Sequence, residues 1–338
     1  MAEDPGPLTS APGAPLVSSI YTTDHGRMYR ATVEDFLASP SSEQYKGNVQ
    51  LIFTSPPFPL LTPKAYGNKV GEEYLQWLSD LAPRLTELLT PNGSIVIELG
   101  NAWERGHPIM STLPLEALLA FRKAGDLFVS QQFICHNPAR LPSPIQWVNR
   151  ERIRVKDSYT HVWWMSPSER PKADNRKVLV PYSDSMKKLI ATQKYNSGPR
   201  GSGFNIGKES FLTDHGGAIP PSMLSYANTR AATPYRRYCR EQGLTPHPAP
   251  MQPQLVEFFV KMLTDEGDLV YDPFGGSNTT GAVAEQFKRR WIATEPKMDY
   301  ILGSKGHFAQ FNPAAAPKRP SSRRRRGGEP QPEGAPSR

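Results

Sequence analysis

The sequence predicts a three-layer α/β fold built around a largely parallel sheet. Apolar segments typical of buried strands, at residues 49–54, 94–99, 128–135 and 160–165, alternate with segments of helical periodicity. Two predicted strands end in unusual motifs: the strand at 49–54 stops at two consecutive prolines, and a strand at 268–272 runs into a glycine-rich bend and a helix. We expect both motifs to lie at one edge of the sheet and to form a site there.

The remaining elements follow from the same periodicities. A short strand is expected near 27–31, and residues 72–90 have the leucine spacing of a helix that Pro83 should kink or split. A turn at 91–93 then leads into the strand at 94–99. The other elements are helices at 113–123, at 254–263 and from about Thr279, and a strand at 290–294.

Length and composition bound the function before any motif is considered. The 338 residues suggest about two domains, and a mean hydropathy of −0.53 without any run of about 20 apolar residues argues against a membrane span. Two isolated cysteines, Cys135 and Cys239, fit a reducing cytoplasm and exclude a dense disulfide scaffold. No C-x-x-C motif or histidine cluster is present, so no metal site is predicted.

The positive charge is concentrated in the last segment of the chain. The net charge is +8, and the residues after Phe311 contain seven Lys/Arg against two Glu, which amounts to +5. The rest of the chain therefore carries +3, so overall basicity is weak evidence for nucleic-acid binding. We expect residues 1–17 and 312–338 to be disordered, the latter as a basic tail that tethers DNA or serves in nuclear localisation.

The strand at 49–54 ends in a rigid turn, Ser55-Pro56-Pro57-Phe58. The two prolines donate no ladder hydrogen bonds and fix their own φ, and a residue before proline is held extended. The carbonyl groups of Ser55 and Pro56 are therefore left as acceptors beside the ring of Phe58. This combination suits a planar group that carries an NH2, such as a nucleobase edge, whereas the alternative is an ordinary loop.

The second motif is the bend at 272–281. Gly275 and Gly276 let the backbone approach a ligand closely, and the start of the following helix presents free N–H groups. Asp272 at the strand tip can pair with a ligand ammonium, and Glu295, after the next strand, is placed to accept from ribose hydroxyls. Together these features indicate a nucleoside cofactor, and the alternative is a structural βα turn with a surface glutamate.

T-S-P-P-F at 54–58 and D-P-F-G-G-S-N-T-T at 272–280 together resemble the amino-methylating DNA methyltransferases that use S-adenosyl-L-methionine. S-P-P-F instead of D-P-P-Y resembles the cytosine-N4 branch, and the motif order resembles its circularly permuted β arrangement. The resemblance covers about residues 19–311 and includes the stretches 91–98, 172–176, 181–183 and 247–250. The chain departs from the family pattern at two places. Asn278 replaces the usual glycine, and asparagine tolerates left-handed backbone better than most residues. Ala31-Thr32 replaces the usual Gly-Asp, so the acidic contact to adenine is left open.

The resemblance implies a Rossmann-like, circularly permuted methyltransferase fold with a smaller target-recognition insertion. The implied reaction transfers a methyl group from S-adenosyl-L-methionine to N4 of a flipped-out cytosine in double-stranded DNA, for restriction–modification or epigenetic marking. The implied catalytic residues are Ser55, Pro56, Pro57 and Phe58. The implied cofactor-binding residues are Phe53, Thr54, His247, Pro248, Asp272, Pro273, Phe274, Gly275, Gly276, Ser277, Asn278, Thr279, Thr280 and Glu295.

Basic residues close to aromatic residues are the candidates for DNA contact. Phosphates suit arginine, and unpaired bases stack on aromatic rings. The first group is Trp147, Arg150, Arg152 and Arg154. The second group lies in residues 195–246, which resemble the family's target-recognition region: Arg200, Lys208, Arg230, Arg236 and Arg237. This region separates a predicted catalytic half at 18–194 from a predicted cofactor-binding half at 247–311. The loop at 60–71, which follows the proline motif, is either a mobile cover over the site or an ordinary surface loop.

Three other functions stay open from the sequence. Adenine-N6 methylation needs the same geometry, because either exocyclic amine fits it. A nucleotide-dependent oxidoreductase would also use a glycine bend, although G-x-G-x-x-G is absent after Tyr271, and a non-catalytic DNA-binding module would need the basic segments alone. No Pro-Cys dipeptide is present, so C5 methylation by a cysteine is not expected. A restriction endonuclease that shares the target site is a candidate partner.

Overall fold

The computed structural model describes residues 17–58, 69–207, 209, 211–227 and 233–311. The predictions for 1–16, for most of the loop at 60–71 and for the tail at 312–338 lie outside these residues. Two of the predicted DNA contacts, Lys208 and Arg230, also lie outside them.

Strands and helices alternate along the described residues as predicted. The strands are β1 (Ser18–Thr22), β2 (Gly26–Arg30), β3 (Val49–Thr54), β4 (Leu89–Gly100), β5 (Ala102–Trp103), β6 (Met110–Ser111), β7 (Phe128–His136), β8 (Tyr159–Ser166), β9 (Gly198–Pro199), β10 (Asn205–Ile206), β11 (Met223–Ser225), β12 (Leu269–Asp272) and β13 (Arg290–Thr294). The helices are α1 (Val33–Ala38), α2 (Pro40–Glu43), α3 (Gly71–Thr86), α4 (Leu113–Ala124), α5 (Asp184–Thr192), α6 (Pro234–Glu241), α7 (Pro253–Leu263), α8 (Thr279–Gln286) and α9 (Met298–Ser304). Shorter helical turns lie at Gln146–Arg150, Asn175–Val178, Lys305–His307 and Ala309–Phe311.

Nine strands of the described chain form one sheet in the order β1-β2-β13-β12-β3-β4-β8-β7-β11. The central neighbours β2, β13, β12, β3 and β4 are parallel, and β8 is antiparallel to both β4 and β7. The predicted three-layer α/β fold with a largely parallel sheet is confirmed. The order places β3 and β12, the two strands that carry the motifs, side by side at the centre.

Helices cover both faces of this sheet. On one face, Ile52 of β3 belongs to a cluster with Leu78 of α3 and Phe121 of α4. On the other face, Phe53 belongs to a cluster with Phe259 of α7. Since neighbouring residues of β3 enter opposite cores, the strand has to be apolar at every position, which explains its continuous apolar run.

The predicted helix at 72–90 is wrong in two respects. α3 is not split at Pro83, which lies in its last turn, because the helix buries its apolar face against the core on both sides of that residue. α3 also ends at Thr86, and Leu89 already begins β4. The predicted turn at 91–93 is an irregularity within β4, where the register against β3 shifts.

The first and last described segments lie against each other. Tyr21 of β1 contacts the rings of Phe308 and Phe311, with centroid distances of 6.0 and 5.7 Å. The Tyr21 hydroxyl also shares a 2.5 Å hydrogen bond with Ser304 Oγ and accepts one from Asn278 Nδ2 at 3.0 Å. The last described residues are therefore packed against the edge strand β1.

Within the described ranges, no helix combines the length and the apolar character that crossing a membrane requires. The same residues contain no group of three or more His, Cys, Asp or Glu side chains arranged to hold a metal ion. Cys135 and Cys239 are both buried and free.

Candidate active site

The two sequence motifs meet at the carboxyl edge of the central sheet. β3 and β12 are parallel, with Ile52 opposite Tyr271, so both strands end at the same edge. There Thr54 Oγ1 donates a buried hydrogen bond of 2.8 Å to Asp272 Oδ1, across a separation of 218 positions in the chain. The structure thus brings together the two motifs that the sequence analysis placed at one site.

A cavity of about 800 Å³ lies at this edge, a size typical of ligand sites. Residues of the first motif and of the strands beside it form its proline side: Ser55, Pro56, Pro57, Phe58, Glu98, Cys135, Asn137, Arg140, Ser158, Tyr159 and Thr160. Residues around the glycine bend form its glycine side: His247, Asp272, Pro273, Phe274, Gly275, Gly276, Ser277, Thr279, Glu295, Lys297 and Tyr300. The cavity therefore has room for two ligand groups, one against each motif.

The aromatic ring of the proline side rests on the end of β4. A Cβ built on Gly100 would lie 2.4 Å from the ring of Phe58, so the ring occupies the space that a side chain at this position would need. Phe58 is half-buried and packs against the core, which keeps its ring in place. The result is a fixed apolar face beside the backbone carbonyls of Ser55 and Pro56.

Glu98 of β4 is a site residue that the sequence motifs did not single out. Thr160 Oγ1 donates a hydrogen bond of 2.8 Å to Glu98 Oε1, and the hydroxyl of Ser55 donates another to the carboxylate. Burial raises the pKa of Glu98, while these two hydrogen bonds and the charge of Arg140 oppose the rise. The available sequence signal was an acidic residue inside an apolar strand, which is rare unless the carboxylate has partners.

Asp272 connects three segments at the end of β12. Its Oδ1 accepts from Thr54 Oγ1 and, at 3.1 Å, from the N–H of Phe274, and its Oδ2 accepts from Thr280 Oγ1 at 2.7 Å. Burial raises the pKa of Asp272, and the three hydrogen bonds lower it. Its predicted pairing with a ligand ammonium stays a prediction, and its contacts within the protein fix the shape of the bend.

The glycine bend depends on two residues with left-handed backbone. Gly276 has a φ of +51°, and a Cβ there would lie 3.1 Å from His247 Nε2. Asn278 has a φ of +55° and caps α8, because its Oδ1 accepts from the N–H of Gly281 at 3.1 Å. The prediction that asparagine would tolerate this backbone conformation is confirmed.

Glu295 and His247 complete the glycine side. Glu295 Oε2 accepts from the N–H of Gly276 at 3.0 Å and Oε1 from that of Lys297 at 2.9 Å, so roughly half of the acceptor capacity of the carboxylate remains. Burial raises the pKa of Glu295. The ring of His247 stands edge-on to Tyr300 at 4.9 Å, and burial lowers the pKa of His247 to about 4, so this histidine is neutral at pH 7.

Comparison with known proteins agrees with this geometry. The model of the N6/N4 DNA methylase family matches residues 49–305, a span that includes both motifs and both sides of the cavity. The chain belongs to this family. As a DNA methylase it acts on DNA, and the alternatives of a nucleotide-dependent oxidoreductase and of a non-catalytic DNA-binding module are wrong.

Individual relatives of this methylase cover most of its length. The type II methyltransferase M.PvuII of Proteus hauseri is 43% identical over 294 residues, which is 86% of each of the two chains. A solved structure, the cytosine-N4-specific PvuII DNA methyltransferase, is similar with a TM-score of 0.68 and 36% identity over 86% of this chain and 88% of that one. The type II methyltransferase M.BglII of Bacillus subtilis is 24% identical over 75% of this chain and 62% of its own.

Five residues predicted to bind the cofactor do not line the cavity of the methylase. They are Phe53, Thr54, Pro248, Asn278 and Thr280. Pro248 is exposed and the other four are buried below the cavity floor. Thr54 and Thr280 hydrogen-bond Asp272, and Asn278 caps α8, so these three polar side chains support the residues that line the cavity. Their direct contact with a cofactor stays a prediction.

The predicted DNA contacts near Trp147 differ among themselves. Arg150 and Arg152 are exposed in the connection between β7 and β8, and Arg152 has a left-handed φ of +57°. Arg154 is half-buried instead, and its Nη1 donates a hydrogen bond of 2.9 Å to the carbonyl of Pro108, between β5 and β6. Arg154 therefore ties two loops of the methylase together, a contact that the arginine spacing could not reveal. Trp147 is partly buried.

The predicted DNA contacts within residues 195–246 also lie in two environments. Arg200 is exposed in the turn between β9 and β10. Arg236 and Arg237 lie on α6, a helix that the sequence analysis did not predict. The ring of Tyr235 on this helix stacks on that of His307 with a centroid distance of 5.0 Å, so α6 packs against the helical turn at Lys305–His307.

Proposed function

We propose that this DNA methylase transfers a methyl group from S-adenosyl-L-methionine to N4 of a cytosine flipped out of double-stranded DNA at a specific sequence. The observation that carries the proposal is the shared cavity, in which a proline-fixed strand tip with an aromatic ring faces a glycine bend with an enclosed acid. The cytosine-N4-specific PvuII methyltransferase, 36% identical with a TM-score of 0.68, supports cytosine N4 over adenine N6.

The glycine side has the chemistry that the cofactor needs. Glu295 is held by two backbone N–H groups and keeps acceptor capacity for ribose hydroxyls, and Asp272 supplies a negative charge for the ammonium of the methionine part. A Cβ at Gly276 would lie 3.1 Å from His247 Nε2, and the absence of a side chain there lets the backbone of the bend approach the cavity. When bound, S-adenosyl-L-methionine supplies the methyl group as an electrophile.

The proline side orients the target amine. The lone pair of a cytosine amine is delocalised into its ring, so positioning and acceptors for the developing positive charge are the main contributions available to the protein. The Ser55 hydroxyl donates a hydrogen bond to Glu98, so the lone pairs of its oxygen remain free to accept a hydrogen bond from one N–H of the amine. The carbonyl of Pro56 accepts the other N–H, and Phe58 stacks on the base.

DNA enters this site after base flipping, and the surrounding arginines are its proposed contacts. Arg150, Arg152 and Arg200 are exposed and suit phosphate and base-edge contact better than Arg154, which is half-buried. A restriction endonuclease with the same target site is a proposed partner, supported by the similarity to a type II methyltransferase. A cytoplasmic location is proposed from the two free cysteines.

The direct test is the identity of the methylated nucleoside. Duplex DNA treated with the protein and S-adenosyl-L-methionine should yield N4-methylcytosine in nucleoside mass spectrometry, and methylation mapping of the same DNA should give one target sequence. N6-methyladenine as the sole product would overturn the cytosine assignment.

Two substitutions test the assigned residues. Ser55→Ala and Phe58→Ala should each lower turnover by at least about a hundredfold, because each removes a group that orients the amine or the base. Both variants should keep the affinity for S-adenosyl-L-methionine, measured by calorimetry, since neither residue belongs to the glycine side. Unchanged turnover in both variants would rule out the proline side as the place of methyl transfer.

A further inference from the structure

Arg140 lines the proline side of the cavity, and its guanidinium has no hydrogen-bond or ion-pair partner among the described residues. Its backbone N–H and carbonyl form hydrogen bonds, whereas no hydrogen bond or ion pair of its side chain occurs within the described ranges. The side chain is only partly exposed. A guanidinium has five N–H donors in a planar fork, so an enclosed one without partners has its full donor capacity available for a ligand.

The backbone below this guanidinium is held by four hydrogen bonds. Asn137 Oδ1 accepts from the N–H of Ala139 at 3.1 Å, and the Asn137 carbonyl accepts from the N–H of Arg140 at 3.2 Å. Lys156 Nζ then donates to the carbonyls of Pro138 and Arg140, at 3.3 and 3.0 Å. The turn 137–140 is therefore fixed against the connection to β8, and Arg140 extends from a fixed position.

The guanidinium faces the same part of the cavity as the Ser55–Glu98 pair. Both groups line the proline side, and burial raises the pKa of Glu98 while the positive charge of Arg140 opposes that rise. Arg140 does not form an ion pair with Glu98, whose carboxylate accepts hydrogen bonds from the hydroxyls of Thr160 and Ser55. The proline side thus presents acceptors at Ser55 and a donor fork at Arg140.

Acceptors for an amine together with a donor for a ring carbonyl are what one base edge requires. Along its Watson–Crick edge, cytosine carries an amine at C4, an acceptor at N3 and a second acceptor at O2. Adenine carries an amine and an acceptor at N1, but then a C–H group. When the amine lies at Ser55 and the ring on Phe58, a donor further along the edge finds an acceptor in cytosine and none in adenine.

We infer that Arg140 donates hydrogen bonds to O2 of the flipped cytosine and that this contact makes the pocket select cytosine over adenine. The inference rests on the proposed methylation of cytosine N4. A site built to hydrogen-bond a polar group rejects the analogue that lacks it, because the buried donor is then left unpaired. Arg140 would therefore carry the choice between two bases whose amines the Ser55 tip accepts equally well.

The test compares Arg140→Gln with Arg170→Gln on three duplexes. Arg170 is exposed and follows Ser166, at the end of β8 that pairs with the start of β7 and lies away from the cavity. The duplexes carry the mapped target site with cytosine, with 2-thiocytosine, whose sulfur is a weaker acceptor than O2, or with a mismatched adenine at the methylated position. The measured quantity is kcat/KM for methyl transfer to each.

Arg140→Gln should lower kcat/KM on cytosine about tenfold to a hundredfold and leave it unchanged on adenine, so that the selectivity collapses. Wild type and Arg170→Gln should lose about tenfold on 2-thiocytosine, and Arg140→Gln should lose nothing further. The 2-thiocytosine comparison in the wild type does not depend on how well the variant folds.

Two results would overturn the inference. An equal loss on the cytosine and adenine duplexes would make Arg140 a phosphate contact, since such a contact does not distinguish bases. If the wild type methylates 2-thiocytosine as efficiently as cytosine, a hydrogen bond to O2 does not contribute to the reaction. If the wild type forms no N4-methylcytosine at all, the proposed function itself fails, which is a separate outcome.

Discussion

Two enclosed carboxylates, those of Asp272 and Glu98, lie on the strands on either side of β3, and they differ in their hydrogen-bond partners. Asp272, at the end of β12, accepts hydrogen bonds from Thr54, Thr280 and the N–H of Phe274. Glu98, near the end of β4, accepts from Ser55 and Thr160, both of which line the cavity. Burial raises the pKa of both carboxylates.

This difference indicates a structural role for Asp272 and a role in the reaction for Glu98, at the same edge of the sheet. The two threonine partners of Asp272 lie below the cavity, so its hydrogen bonds maintain the framework. The partners of Glu98 line the cavity, so its hydrogen bonds can set the direction in which a ligand group is held there. Loss of the first carboxylate should therefore damage the fold and cofactor binding, and loss of the second should damage turnover.

The largest effect is expected from Asp272→Ala. Three buried donors lose their acceptor, which should lower the free energy of unfolding by about 3 kcal/mol, measured in urea. Binding of S-adenosyl-L-methionine should be lost as well, because the bend loses its anchor. Asp24→Ala, at an exposed aspartate, is the matched control and should change stability by less than about 0.5 kcal/mol. Wild-type stability in Asp272→Ala would refute the structural role.

Glu98→Gln should have the opposite profile. Turnover should fall about a hundredfold, because the amide is a weaker acceptor for the Ser55 hydroxyl, while cofactor affinity stays unchanged. Since burial raises the folded-state pKa of Glu98 above its unfolded value, ionisation of this group destabilises the fold as pH rises through the raised pKa. The substitution should therefore increase the melting temperature at pH 7.

The pH profile separates this role from a merely structural one. Wild-type kcat should fall as pH drops below the raised pKa of Glu98, because a protonated carboxyl is a weaker hydrogen-bond acceptor for the Ser55 hydroxyl than the carboxylate is. Glu98→Gln has no group to titrate there and should lack that acidic limb. An unchanged acidic limb in the variant would assign the titration to another group.

The smallest effect is expected from Gly100→Ala. The added methyl group would meet the Phe58 ring at 2.4 Å, so the ring has to shift from its position beside the amine. Turnover should fall about tenfold with little change in stability, because the reacting base is then held less well. Gly201→Ala, where nothing lies within 4 Å, should leave both quantities unchanged. Equal effects of the two substitutions would mean that the position of the ring is unimportant.

The sequence predicted the parts of this comparison that depend on local pattern. The apolar run of β3 and the strand–bend–helix unit at Asp272 predicted two strands that end at one edge of the sheet. The tolerance of left-handed backbone at Asn278 followed from the family's glycine at that position and from the residue type. Glu98 was missed because its partners, Ser55 and Thr160, come from other strands, and pairing across strands has no local signature. Pro83 was misjudged because tertiary packing of α3 outweighs the local preference of proline.

The basic residues show the same limit. The spacing of Arg150, Arg152 and Arg154 is uniform in sequence, yet Arg154 is engaged with a carbonyl of another loop while the first two are exposed. Arg140 belonged to none of the motifs that the sequence analysis assigned to the site, and only the structure shows that it lines the cavity. Charge in a sequence is local, whereas the availability of that charge depends on neighbours brought in by the fold.

The contacts of Tyr21 with Phe308 and Phe311 have a consequence for connectivity. Because Phe311, the last described residue, packs against Tyr21 of the first strand, a linker from residue 311 to residue 17 would close the backbone into a ring. Opening that ring in the exposed turn at Gly243 would give a polypeptide that reads the glycine bend first and Ser-Pro-Pro-Phe second. The same catalytic edge would form, since strand adjacency and not reading order assembles it.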